Sequence, residues 1–137
     1  MGTFTGVVKD QDNNIAYYLN GKFHREGGPA IEKANGDKWW YLNGKRHRDG
    51  GPALKFSNGE NWWYINGELH REDGPAVEYA NGSNLWYLNG ELHREDGPAC
   101  EYADGDKRWY LNGELYGEND DFTNESWIRF VRLDLLK

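Results

Sequence analysis

Four short segments hold nearly all the side chains that could do chemistry. They read His24-Arg25-Glu26-Gly27-Gly28-Pro29, His47-Arg48-Asp49-Gly50-Gly51-Pro52, His70-Arg71-Glu72-Asp73-Gly74-Pro75 and His93-Arg94-Glu95-Asp96-Gly97-Pro98. An imidazole beside a guanidinium and carboxylates is suited to binding a metal ion or passing protons. Two arguments oppose that use. With two strands per unit at about 4.8 Å, equivalent residues lie about 10 Å apart, whereas a zinc ligand sits about 2 Å from its metal. A catalytic centre is also normally unique, and this motif occurs four times. An element that every repeat unit needs recurs in this way. The segments are therefore expected to be structural loops. Each Arg would pair with a carboxylate of its own or the adjacent loop, Asp73 and Asp96 included. His24, His47, His70 and His93 would bond backbone, and Gly-Pro would fix the reversal. No catalytic residue, metal site or cofactor is expected.

Cys100 falls in a column otherwise filled by Ile31, Leu54 and Val77. It reads as a small buried hydrophobe rather than a nucleophile. There is no glycine loop placed to cradle phosphate ahead of a helix, and no nucleophile elbow.

The loops belong to a repeat. Asn-Gly pairs stand at Asn20-Gly21, Asn43-Gly44, Asn66-Gly67, Asn89-Gly90 and Asn112-Gly113, each 23 residues from the last. A second series follows the same period at Asn35-Gly36, Asn58-Gly59, Asn81-Gly82 and Asp104-Gly105. Such pairs between aromatic or β-branched residues predict hairpins with type I′ turns. Each unit thus reads as two main strands and a short third. Five units span residues 7–116, the first of them partial, because Val8 to Asn14 lacks the Gly of later copies.

Alternation along the strands separates two faces. Tyr17, Trp40, Trp63, Trp86 and Trp109 share a parity with Leu19, Leu42, Ile65, Leu88 and Leu111, and are expected to form the core face. Tyr18, Tyr41, Tyr64, Tyr87 and Tyr110 have the opposite parity. Beside them lies a column that varies from Trp39 and Trp62 to Arg108, which is expected to be accessible. Trp39, Tyr41, Trp62, Tyr64 and Tyr87 would then form an aromatic strip suited to protein contact. After the repeats, residues 121–137 predict an amphipathic helix with Trp127, Ile128, Phe130, Val131, Leu133, Leu135 and Leu136 on its apolar side. Thr123 or Asp121 would cap its start. Its expected role is to cover the last hairpin. The fold expected overall is all-β: an elongated, single-layer array of antiparallel hairpins, solenoid-like, with a C-terminal capping helix.

Composition limits the partners. The 137 residues carry 16 basic and 23 acidic side chains, a formal charge of −7. Nucleic acid and anionic lipid both attract basic surfaces, so neither is expected to bind. A protein with a basic patch fits better. No apolar run is long enough to span a membrane, and the first ten residues do not resemble a signal peptide. The Met-Gly start lacks the Ser or Thr that myristoylation requires at position 6. With a single cysteine, the expected setting is cytoplasmic. The sequons at Asn81 and Asn124 are expected to go unused there.

The 23-residue unit, with aromatic strands, Asn-Gly-x-x-His and a later Asn/Asp-Gly turn, resembles the MORN repeat (membrane occupation and recognition nexus). It is most similar to the variants found in bacteria, phages and large viruses. Arg25, Arg48, Arg71 and Arg94 stand where the repeat usually has Gly after the His. The resemblance covers residues 7–116 and implies a single-sheet array used for protein–protein contact. The functional expectation is a non-enzymatic scaffold, adaptor or small acidic inhibitor, such as a phage-encoded anti-defence protein, with homo-oligomers open to it. The rival is a module for a small ligand, a glycan or nucleotide-like signal, stacked on Trp39 and Trp62 and met by Arg71 or Arg94.

Overall fold

The computed structural model describes residues 3–135. The Met-Gly start and Leu136 of the expected helix stripe lie outside the described residues, as does the side chain of Leu135. The chain is mostly β: among the described residues there are eighteen short strands, one 3-10 turn at Asn119–Asp121 and one helix, α1, at Asn124–Leu135. It divides into two compact units, Met1–Leu69 and His70–Lys137.

In the first unit the antiparallel order is Gly6–Lys9, Ile15–Leu19, Ile31–Glu32, Lys38–Trp39, Leu54–Lys55 and Asn61–Trp62. In the second it is Val77–Glu78, Asn84–Leu85, Cys100–Glu101, Lys107–Leu111 and Glu114–Glu118. Neither unit closes into a barrel. Two-residue hairpins leave the main ladder, pairing Tyr41–Leu42 with Lys45–Arg46, Tyr64–Ile65 with Glu68–Leu69 and Tyr87–Leu88 with Glu91–Leu92.

The two turn series differ. In the first, both central residues have positive φ (51° and 78° at Asn20-Gly21), as a type I′ turn requires. In the second only the Gly does: Gly36 has φ 100° and Asn35 stays in ordinary space. Gly36 N–H donates to Lys33 O (3.0 Å) and Lys33 N–H to Asp37 O (2.9 Å). This is a type I turn followed by a left-handed residue, not the type I′ turn expected from the dipeptide. The first, partial repeat lacks a Gly there, and Asn13 takes its place with φ 68°.

Burial corrects the expected faces. The column Ile31, Leu54, Val77 and Cys100 is buried, with Ala30, Ala53, Ala76 and Ala99 fully enclosed beside it. That column pairs directly with Trp39, Trp62, Leu85 and Arg108, so the supposed accessible column shares the core side. Tyr41 and Tyr64 are buried with it, at 9% and 7% exposure. Trp39 and Trp62 are half-buried, each edge-on to Phe56. The exposed aromatic strip is therefore absent at these four residues. The cause lies at Trp40, where the strand is interrupted: its N–H donates to Ala53 O (2.6 Å) and its carbonyl accepts from His47 N–H (3.1 Å). Trp39 stays in the main ladder while Tyr41 joins the side hairpin, and both faces are covered. Continuous alternation persists in Lys107–Leu111, where Trp109 and Leu111 are buried as expected.

Helix α1 covers that last hairpin. Trp127 and Val131 pack on Trp109 and Leu111, with Tyr116, Phe122 and Phe130 around them. Trp127 is fully enclosed, and its indole N–H donates to Arg94 O (2.8 Å). Thr123 caps the helix: Ser126 N–H donates to its Oγ1 (3.1 Å) while Thr123 N–H donates to Ser126 Oγ (2.8 Å). This is a capping box with Ser in the acidic position. Asp121 belongs instead to the preceding 3-10 turn, so the helix starts three residues later than the expected boundary. No helix among the described residues is long and apolar enough to cross a membrane.

Candidate functional site

The loop motif is a joint between successive hairpins. Asn43 N–H donates to His24 Nδ1, Asn66 to His47, Asn89 to His70 and Asn112 to His93, each at 2.9 Å and each 19 residues on. The accepting Nδ1 carries no proton, so the other ring nitrogen carries it and donates to the loop carboxylate. Nε2 lies 3.3 Å from Glu26, 3.3 Å from Asp49, 3.1 Å from Glu72 and 3.0 Å from Glu95. The backbone adds a tie, since Arg25, Arg48, Arg71 and Arg94 N–H donate to the carbonyls of Tyr41, Tyr64, Tyr87 and Tyr110. At the N-terminal start, Thr5 Oγ1 takes the imidazole's place and accepts from Asn20 N–H (2.9 Å).

The Arg side chain is a keystone. In the fourth loop the Arg94 guanidinium lies 3.7 Å above the Trp86 ring. It donates to Asp96 (2.8 Å) and to Pro98 O (3.2 Å) and lies 3.5 Å from Glu101. Its other face lies against Gly97, where a Cβ would stand 2.7 Å from Arg94 Cζ. Arg48 repeats this over Trp40 at 3.8 Å, with the corresponding gap at Gly51 being 2.9 Å. Gly97 and Gly51 have ordinary φ, so Gly is required by close approach rather than by backbone conformation. Arg71 pairs with Asp73 (3.0 Å), Pro75 O (3.1 Å) and Glu78 (3.4 Å). Arg48 has Lys55 where Arg25 meets Glu32, and burial pulls it below the usual guanidinium range.

The carboxylates of the loops face outward. Glu72 and Asp73 are 83% and 87% exposed, Glu95 and Asp96 55% and 75%. Between these two loops is a groove of about 670 Å³, floored by Trp86 and Leu88. The matching groove of the first unit, over Trp40 and Leu42, is about 270 Å³. It has only Glu26 and Asp49 at its rim, since Gly27 and Gly50 stand where the later loops have Asp73 and Asp96. The units also differ in charge: His70–Lys137 holds 15 acidic and seven basic residues, against eight and nine in Met1–Leu69. Tyr87, the remaining member of the expected strip, is half-buried, and its carbonyl is taken by Arg71 N–H.

Among the described residues, no three metal-ligating side chains converge. Cys100 is enclosed at 1% exposure, and burial pushes its thiol up. Tyr102 beside it is pushed up to about 12, first by desolvation. In the native protein Cys100 is expected to react with iodoacetamide at least ~10³-fold more slowly than in denaturant, because only a small opened fraction exposes it. Equal rates in both conditions would show an accessible thiol. Trp39 Nε1 is the one buried side-chain polar atom without a partner among the described residues. Trp62 Nε1 donates to Glu60 (3.3 Å), but the equivalent Asp37 is one methylene shorter and accepts Ser57 N–H (2.7 Å) instead.

Trp86, Leu88, Glu72 and Glu95 were not singled out by the sequence as groove residues. The signal was the change from Gly to Asp in the third and fourth loops, which adds an exposed acid to each. No family model matches the sequence, and no curated protein matches it.

Proposed function

We propose that the chain is a non-enzymatic protein-interaction module of MORN-like type, whose loops meet a protein partner bearing a basic surface. The carrying observation is the division of labour within the motif. Imidazole and guanidinium groups are spent on joining hairpins, and the carboxylates are left facing water. An imidazole with Nδ1 accepting an amide and Nε2 donating to a carboxylate has no free nitrogen for proton transfer to a substrate. Trp39 and Trp62, half-buried and each edge-on to Phe56, offer only part of their rings to a stacking glycan or nucleotide. The acidic surface opposes nucleic acid and anionic lipid. A cytoplasmic location suits the free thiol. A small acidic protein with such a surface would suit an adaptor or an inhibitor, including one encoded by a phage against a host defence protein, and self-association is compatible with it.

The test is chemical cross-linking in native host lysate through the loop carboxylates, followed by identification of the joined peptides. The expected result is one predominant protein, joined through a lysine-containing peptide to residues 70–75 or 93–98. Recovery of uncross-linked chain only, at saturating reagent, would count against the module.

A further inference from the structure

We infer that the groove between loops 70–75 and 93–98 takes an extended lysine- or arginine-rich segment of the partner, which rests on the interaction reading above. The groove's volume, about 670 Å³, lies in the range of specific ligand sites and is several times that of one side chain. Its floor combines Leu88 with Trp86, one ring face of which Arg94 covers, and the apolar surface they leave suits the aliphatic stems of Lys and Arg. Its lining holds the exposed carboxylates of Glu72, Asp73, Glu95 and Asp96 against the guanidiniums of Arg71 and Arg94, a balance of two negative charges.

These four carboxylates already bond His70, Arg71, His93 and Arg94, yet each carboxylate can accept several more hydrogen bonds. An incoming ammonium therefore adds to the network without breaking a joint. The unit around the groove has a formal charge of −8, which repels an anionic occupant and steers a cationic one. The equivalent groove of the first unit is a poor competitor. Its volume is under half as large, its rim has two carboxylates, and its unit carries +1. The linings of the two grooves differ at three equivalent positions, and two of these, Asp73 and Asp96 in place of Gly27 and Gly50, add a carboxylate, while Glu95 stands in place of Asp49.

The probe is octalysine, titrated into the full chain and followed by amide and indole NMR shifts, with octaglutamate and a Gly-Ser octapeptide as controls. Octalysine is expected to shift the Trp86 indole and the amides of both loops, and the controls to shift nothing. Binding should weaken steeply between about 50 and 300 mM salt, because exposed charges are screened over this range. Glu72→Gln/Glu95→Gln keeps an acceptor for each imidazole and should bind about fivefold more weakly with an unchanged melting temperature. Leu88→Arg, which puts a cation on the floor, should also weaken binding. Shifts centred on the other acidic stretch, residues 118–125, or unchanged affinity in both folded variants, would overturn the groove assignment. So would the absence of any octalysine binding. The lysate cross-links separate the two claims. A partner joined elsewhere on the chain leaves the module standing and removes the groove, whereas no partner and no octalysine binding removes both.

Discussion

Trp127→Ala should lower stability by about 3–5 kcal/mol, the range for removing a fully buried aromatic side chain. Trp127 is the centre of the cover that α1 places on the last hairpin, in ring contact with Trp109, Tyr116, Phe122 and Phe130. Its indole N–H also closes the fourth loop through Arg94 O. Repeat proteins lose stability locally when a cap fails, since each unit contacts only its neighbours. The loss should therefore appear by hydrogen exchange first in Lys107–Leu111 and Glu114–Glu118, while amides of Met1–Leu69 keep their protection. A melting temperature within about 2 °C of wild type would contradict the capping role, because ~3 kcal/mol corresponds to roughly 10 °C in a chain of this size.

The second large effect belongs to the guanidinium layer. Arg94→Ala removes the ring contact with Trp86 and leaves Pro98 O without its donor, for an expected loss of about 2–3 kcal/mol. The ion pairs contribute little of this, since Asp96 is 75% exposed and Glu101, 38% exposed, stands 3.5 Å away. Arg94→Lys should recover less than half, because an ammonium cannot lie flat on indole and bond two oxygens in one plane. Gly97→Ala alone should cost about 1–3 kcal/mol through the clash with Arg94 Cζ. In the Arg94→Ala background that penalty should vanish, because the added methyl meets empty space. Additive losses in this double-mutant cycle would show that Gly97 is needed for another reason.

The repeat, its period and the capping helix are legible because they depend on local chemistry. Asn-Gly at a fixed interval demands tight turns, and a Thr before an apolar 3.6-residue stripe demands a helix. The buried Ile31, Leu54, Val77 and Cys100 column is legible for the same reason. The two faces are not. Strict alternation assumes an unbroken strand, and the chain interrupts its strands at Trp40, Trp63 and Trp86 to feed a side hairpin. Nor does pattern reveal that a second apolar face is covered by flat Arg side chains, since Arg counts as polar in any periodicity. The motif Arg-x-x-Gly-Pro holds that information only once the guanidinium is seen lying between Trp86 and Gly97. The groove depends on Asp73 and Asp96, whose effect is a charge difference between units rather than a motif.

Each imidazole joins the next hairpin through Nδ1 and its own loop carboxylate through Nε2. The most direct measurement is a long-range proton–nitrogen correlation spectrum of the histidine rings near neutral pH. It reads which nitrogen carries the proton in each ring. The expected result is four rings locked with the proton on Nε2, Nδ1 bare, and slowly exchanging amide protons at Asn43, Asn66, Asn89 and Asn112. Rings that interconvert between tautomers, or that carry the proton on Nδ1, with those amides exchanging freely, would contradict the account.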